Sequence, residues 1–115
     1  MGVTIYGIKN CDTMKKAFAW LQASGVEYTF HDYRVSGIGR AEVGAWAAAA
    51  GWEKVLNKSS RTFRALPDAA RAGLDEEKAI DLMVQDPTMI KRPVLVADGV
   101  VEVGFKPERY EGLLR

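Results

Sequence analysis

Cys11 is the only cysteine in this 115-residue chain, and His31 is its only histidine. The cysteine follows a β-rich run, Val3-Thr4-Ile5-Tyr6-Gly7-Ile8, and a short loop, Lys9-Asn10. It directly precedes a helical pattern that begins Asp12-Thr13-Met14-Lys15-Lys16. A strand that ends in a loop and hands a side chain to a helix start points that side chain at the first free backbone N–H groups. Those donors and the helix dipole favour negative charge. A thiol held there ionises more readily than a free one, and the thiolate is the nucleophilic form. The chemistry this predicts is thiolate attack on a disulfide or another electrophile. The alternative is a buried, inert thiol; the order strand, turn, cysteine, helix favours the reactive one. Asn10 and Thr13, close to Cys11, are expected to satisfy the helix start and, with Pro93, to take part in binding the substrate. One cysteine and one histidine make a dedicated zinc site improbable, and no metal or bound organic cofactor is expected.

The elements that must position Cys11 follow from periodicity. Val3 to Ile8 reads as a strand. Met14, Ala17, Phe18 and Leu21 share one helical face, and Gly25 is placed to stop that helix. Val26 to Tyr33 alternates and reads as a second strand, giving a right-handed βαβ unit with a parallel pair. Val35 to Gly39 is a cluster of breakers. Arg40 to Ala50 carries a stripe of Val43, Trp46, Ala47 and Ala50, and Gly51 ends it. Short turns are expected at Trp52 to Leu56 and Arg61 to Leu66, with a polar turn at Asn57 to Ser60. Asp75 to Gln85 is a helix with acidic residues in its first turn, a stripe of Ala79, Ile80, Met83 and Val84, and a stop at Pro87. Pro93 to Ala97 and Val100 to Val103 are strands joined by a two-residue hairpin turn, Asp98-Gly99. Pro107 opens a terminal helix.

The order β-α-β, helical segment, β-β-α predicts an α/β protein with a mixed sheet. That is a thioredoxin-like layout: one domain over 1–115, with 1–34 and 87–115 as its core and 35–86 as an inserted helical region. In such a layout Pro93, at the head of a strand, is expected beside the nucleophilic cysteine with a cis peptide bond; the alternative is an ordinary trans proline at a strand edge. A proline there cannot donate to the sheet.

Composition bounds the rest. A net charge of +1 exerts no general pull toward nucleic acid or membrane. No window is apolar enough to span a bilayer, and the N-terminus lacks a signal-peptide pattern. A lone cysteine makes no internal disulfide, which points to the cytoplasm. His31 is read as a packed or surface histidine, and Trp20, Trp46 and Trp52 as packing residues.

The stretch from Ile5 to Ala17, IYGIKNCDTMKKA, resembles the start of the arsenate reductase/Spx family and is closest to its YffB-like branch. Gly51-Trp52-Glu53-Lys54-Val55-Leu56-Asn57 and Ile90-Lys91-Arg92-Pro93 stand where that branch has similar motifs. The resemblance runs from the first strand to the final helix, and it implies a thioredoxin-like fold with inserted helices. In the family's arsenate reductases the cysteine attacks arsenate, glutathione resolves the adduct and three arginines hold the oxyanion. Arg92 matches the middle arginine. Lys106 stands at the last, ahead of Pro107. Ser59 stands by position at the first, with Lys58 or Arg61 able to supply the charge. The arsenate site is thus only partly kept, since lysine is a point charge where arginine is a fork. Spx-type regulators pair the cysteine with a second one; here that place is Met14, so that switch is absent.

A lone thiolate cannot resolve its own product and needs a second thiol from solution. Glutathione is the expected co-substrate, or another small thiol or disulfide. Lys9, Arg92 and Lys106 are expected to form a cationic groove for it beside Cys11; Lys9 and Lys106 read equally well as solvated surface charge. Three functions stay in view: a glutathione-dependent thiol-disulfide oxidoreductase, which is favoured; an arsenate reductase coupled to glutathione and glutaredoxin; and a non-enzymatic interaction protein that keeps the fold. The expected setting is a cytoplasmic monomer without nucleic-acid or membrane partners.

Overall fold

The computed structural model describes residues 2–115. Along the chain these form β1 (Val3–Gly7), α1 (Asp12–Ala23), β2 (Thr29–Asp32), α2 (Tyr33–Ser36), α3 (Arg40–Ala50), α4 (Trp52–Val55), α5 (Arg61–Arg64), α6 (Asp68–Arg71), α7 (Glu76–Gln85), a 3-10 turn (Pro87–Met89), β3 (Val94–Ala97), β4 (Val100–Val103) and α8 (Pro107–Leu114). They fall into two compact units: the residues up to Ser36 with Arg92–Arg115, and Gly37–Lys91. Among the described residues no helix is long and apolar enough to cross a membrane.

The first unit is built on a four-stranded sheet of order β2-β1-β3-β4, with β2 parallel to β1 and the β1–β3 and β3–β4 pairs antiparallel. This is the expected mixed, thioredoxin-like sheet. Register puts Ile5 opposite both Phe30 and Leu95, so these side chains share a face. On that face Ile5, Leu95 and Ala97 pack with Met14, Ala17 and Leu21 of α1 and Tyr110 of α8. Each large apolar side chain fully buried this way contributes about 1.5–3 kcal/mol relative to exposure. Glu102 faces the same side, opposite Leu95, and is buried against Arg109 of α8 at 3.0 Å.

The ends of these elements have local causes. Gly25 takes φ +69, and the N–H groups of Gly25 and Val26 return to the carbonyls of Gln22 and Leu21, closing α1. Asp98 and Gly99 take φ +51 and +78, which makes the β3–β4 turn the predicted two-residue hairpin. Strand β2 is shorter than its alternation suggested. The Val26 N–H is committed to closing α1, and Tyr33 leaves the sheet to open α2. That short helix occupies part of the region read as breakers, and Gly37 follows it with φ +72. Pro93 precedes β3 instead of belonging to it, and its carbonyl accepts the Gly104 N–H at 2.8 Å.

In the second unit α3 buries Val43, Trp46 and Ala47, while α7 buries Ala79, Ile80, Leu82 and Met83. Leu82 takes the place expected for Val84: the stripe is centred on 79 and 83, which carries 82 inward and leaves 84 at the margin. Asp75 caps α7 by accepting the Lys78 N–H at 2.9 Å. Arg40 clasps α3 to α7 through Glu77, at 2.6 Å, and Asp81. Pro87 does more than stop α7. It opens the 3-10 turn, with Asp86 accepting the Thr88 N–H at 3.1 Å. The segment after it is tied within this unit by the Asn57 N–H to the Met89 carbonyl and the Lys91 N–H to the Val55 carbonyl, both 2.8 Å. Helix α6 had no counterpart in the sequence reading, because a single turn is too short to show a periodicity.

Candidate functional site

The site begins where β1 ends. Asn10 takes φ +62, a left-handed conformation that asparagine tolerates better than most residues. The chain therefore bends just before Cys11, which enters as the N-cap of α1 with extended backbone, φ −103 and ψ 131. Asn10 and Thr13 were expected to satisfy the helix start with their side chains. Instead the cysteine itself holds the capping position, and among the described residues neither side chain makes a hydrogen bond. Asn10 serves through its backbone bend, and Thr13 through its amide.

Partial burial raises the Cys11 pKa, but the combined effect of its neighbours is larger and the thiol ends below its ordinary value. Those neighbours are the Met14 N–H, the Arg92 guanidinium as donor, the Thr13 N–H and the Arg92 charge. The amide contacts favour the thiolate although the cap has no hydrogen bond of full geometry, since charge–dipole attraction tolerates poorer alignment.

Arg92 is half-buried, and the Arg92–Pro93 peptide bond is cis. Burial pulls the guanidinium pKa down; contact with Cys11 and Tyr33 outweighs this and raises it. Pro93 itself is buried. The two landmarks found in the sequence are thus brought together in one unit, with Arg92 as the cation that reaches the sulfur.

In the sequence Tyr33 is only the end of an alternating strand pattern. It is 1 % exposed, and its hydroxyl oxygen is buried without a full-geometry hydrogen bond. Burial pushes its pKa well up, and the facing Arg92 guanidinium works in the opposite direction. Nothing local distinguishes this tyrosine in the sequence. Its place beside the thiol comes from the β1–β2 register, in which Asp32 lies opposite Gly7.

Lys9 and Lys106 are exposed, and among the described residues neither makes a hydrogen bond or ion pair. Lys106 is the N-cap of α8, ahead of Pro107. In the other unit, Ser59 is exposed and its N–H bonds the Asn57 side-chain oxygen at 3.0 Å. Lys58 lies 5.5 Å above the Trp52 ring. His31 packs against Tyr6 with ring centroids 5.2 Å apart.

Comparison with known proteins adds to this geometry. The model of the ArsC family matches residues 6–113. The solved structure of a protein named YFFB is 52% identical, with a TM-score of 0.96, and the match covers 98% of this chain and 99% of that one. The solution structure of an arsenate reductase (ArsC) related protein from Brucella melitensis is 49% identical, with a TM-score of 0.77, covering 100% and 96% of the two chains. An arsenate reductase from Rhizobium meliloti is 33% identical over 101 residues, which is 84% of this chain and 70% of that one.

Proposed function

As the chain belongs to the ArsC family, we propose that it is a thiol-disulfide oxidoreductase that uses Cys11 as nucleophile and glutathione, or another small thiol, as co-substrate. The observation that carries this reading is a lone cysteine whose thiolate is favoured by two helix amides and Arg92. The Cys11 thiolate attacks one sulfur of a disulfide; that S–S bond breaks, and the departing thiolate takes a proton from water. The product is a mixed disulfide. With no second cysteine in the chain, a glutathione thiolate attacks its outer sulfur; the bond to Cys11 breaks, a disulfide forms between glutathione and the bound group (oxidised glutathione when that group is itself glutathione), and the Cys11 thiolate is restored.

Arg92 is positioned to receive a carboxylate of glutathione, with Lys9 and Lys106 as outlying cations. Asn10, Thr13 and Pro93 shape the wall around the sulfur. The reading assumes a reducing cytoplasm and a monomer that needs no metal, nucleic acid or membrane.

Arsenate reduction is the second reading, favoured by Arg92 beside the thiol and by the resemblance to arsenate reductases. Arsenate is compact and needs several converging donors, so replacing bidentate arginines by Lys106 and Ser59 weakens it more than it weakens a glutathione site. Mass spectrometry after exposure to oxidised glutathione, with a coupled arsenate assay, separates the two. The expected result is a glutathione adduct on Cys11 with little arsenate turnover, and a gain of arsenate activity in the Ser59→Arg, Lys106→Arg variant. Robust arsenate turnover by the wild type with no adduct would promote the second reading.

A further inference from the structure

We propose that Tyr33 is a positioning residue for the Cys11 thiolate: its buried hydroxyl oxygen receives an N–H of Arg92 and so holds the rest of that guanidinium against the sulfur. Three observations carry this. Tyr33 is almost wholly buried, and its hydroxyl has no hydrogen-bond partner of full geometry among the described residues. A buried polar atom left unpaired costs about 1–3 kcal/mol, so the oxygen must find a donor. The cation that faces it is Arg92, which also faces Cys11.

The direction of the bond is settled by chemistry. Guanidinium has donors only, so the phenol oxygen accepts. Its donors are fixed in a planar fork, so one group can serve the phenol and the sulfur at once. Tyr33 follows β2 directly, and Asp32 is in register with Gly7 at the end of β1. The ring is therefore anchored by the same sheet that delivers the Cys11 loop. Cys11 and Asp32 are the other charged groups facing the phenol; the Asp32 Oδ1 accepts the Arg34 N–H at 2.9 Å, and a carboxylate oxygen is an acceptor. A lysine at 92 would supply charge to the thiolate without bridging the two groups in a fixed plane.

This inference rests on the reading that Cys11 reacts as a thiolate, and not on the identity of the resolving thiol. The test follows the Cys11 Cβ chemical shift against pH in the wild type, Tyr33→Phe, Arg92→Lys and the double variant. Tyr33→Phe keeps the buried ring. It is expected to raise the thiol midpoint by roughly half a pH unit or more, and to slow alkylation at neutral pH. On the Arg92→Lys background the same substitution is expected to add no further shift, because there is no fork left to hold. An unchanged midpoint in Tyr33→Phe, or a full shift that persists on the Arg92→Lys background, overturns the proposal. Should Tyr33→Phe fail to fold, guanidinium NMR of the wild type decides: separate, slowly exchanging Arg92 Nη signals support a held fork, and free rotation overturns it. A missing glutathione adduct would sink the proposed co-substrate while leaving these titrations intact.

Discussion

A Cβ atom added to Gly7 would overlap the Met14 sulfur, so the first turn of α1 is seated directly on the strand that leads to Cys11. Met14 is fully buried, and its own N–H is one of the groups that favour the thiolate. Packing at Gly7 and charge at Cys11 are therefore linked. Position 14 is thus filled by a thioether that serves the core.

Gly7→Ala is expected to lower stability by about 1–3 kcal/mol, the usual cost of overpacking a filled core. It should also raise the thiol midpoint, by moving the Met14 amide. Urea denaturation and a thiol titration on the same variant check both. Unchanged stability would show that the Met14 side chain swings aside freely.

The Cys11 thiol is expected to titrate below the free-cysteine value of about 8.5. Its folded pKa is depressed, so the native state holds fewer protons than the unfolded chain between the two values. The stability this contributes is complete above the unfolded pKa and is lost as pH falls through the folded one. The stability of wild type relative to Cys11→Ala should therefore rise toward alkaline pH, measured by denaturation at a series of pH values. The opposite slope would mean that burial, not Arg92 and the amides, dominates.

Arg92→Ala is expected to slow reaction with oxidised glutathione, an anionic disulfide, more than reaction with a neutral disulfide. The difference should be about 1.5 kcal/mol, near the lower end for hydrogen bonds to charged groups because the guanidinium is partly exposed. Stopped-flow rates with the two substrates give it directly. Equal slowing would assign Arg92 to the thiol alone.

Arg109→Ala is expected to destabilise the protein by stranding the buried Glu102 carboxylate beside the Tyr110 ring. Adding Glu102→Leu should recover part of the loss, since the uncompensated charge is then gone. Thermal unfolding of the single and double variants tests this, and a double variant less stable than the single would refute it.

Much of the fold was legible because its signals are local. The glycine at 25 and the Asp98-Gly99 pair sit at positive φ, where turn chemistry demands them. The stripe of α1 is read from 3.6-residue spacing, and Met14, Ala17 and Leu21 are buried as it requires. The misreadings occurred where tertiary contacts compete with local pattern. Val26 alternates like a strand residue, yet its N–H closes α1. Pro87 stops α7 as its position requires, and what the local pattern does not show is the new turn it starts, capped by Asp86.

The sequence by itself determined that one thiol stands at a helix start after a strand, because that arrangement is written in consecutive residues whose preferences act over a few bonds. It also determined the order of the four strands and of the longer helices α1, α3, α7 and α8, through periodicity and breakers. Only the tertiary structure decided which groups reach the sulfur. Arg92 does so, while exposed Lys9 and Lys106 make no hydrogen bond or ion pair among the described residues; Tyr33, unremarkable in the sequence, lies against the same guanidinium. The physical reason is that strand register, set by the burial of side chains far apart in the chain, brings the ends of β1 and β2 together and so fixes the neighbours of Cys11.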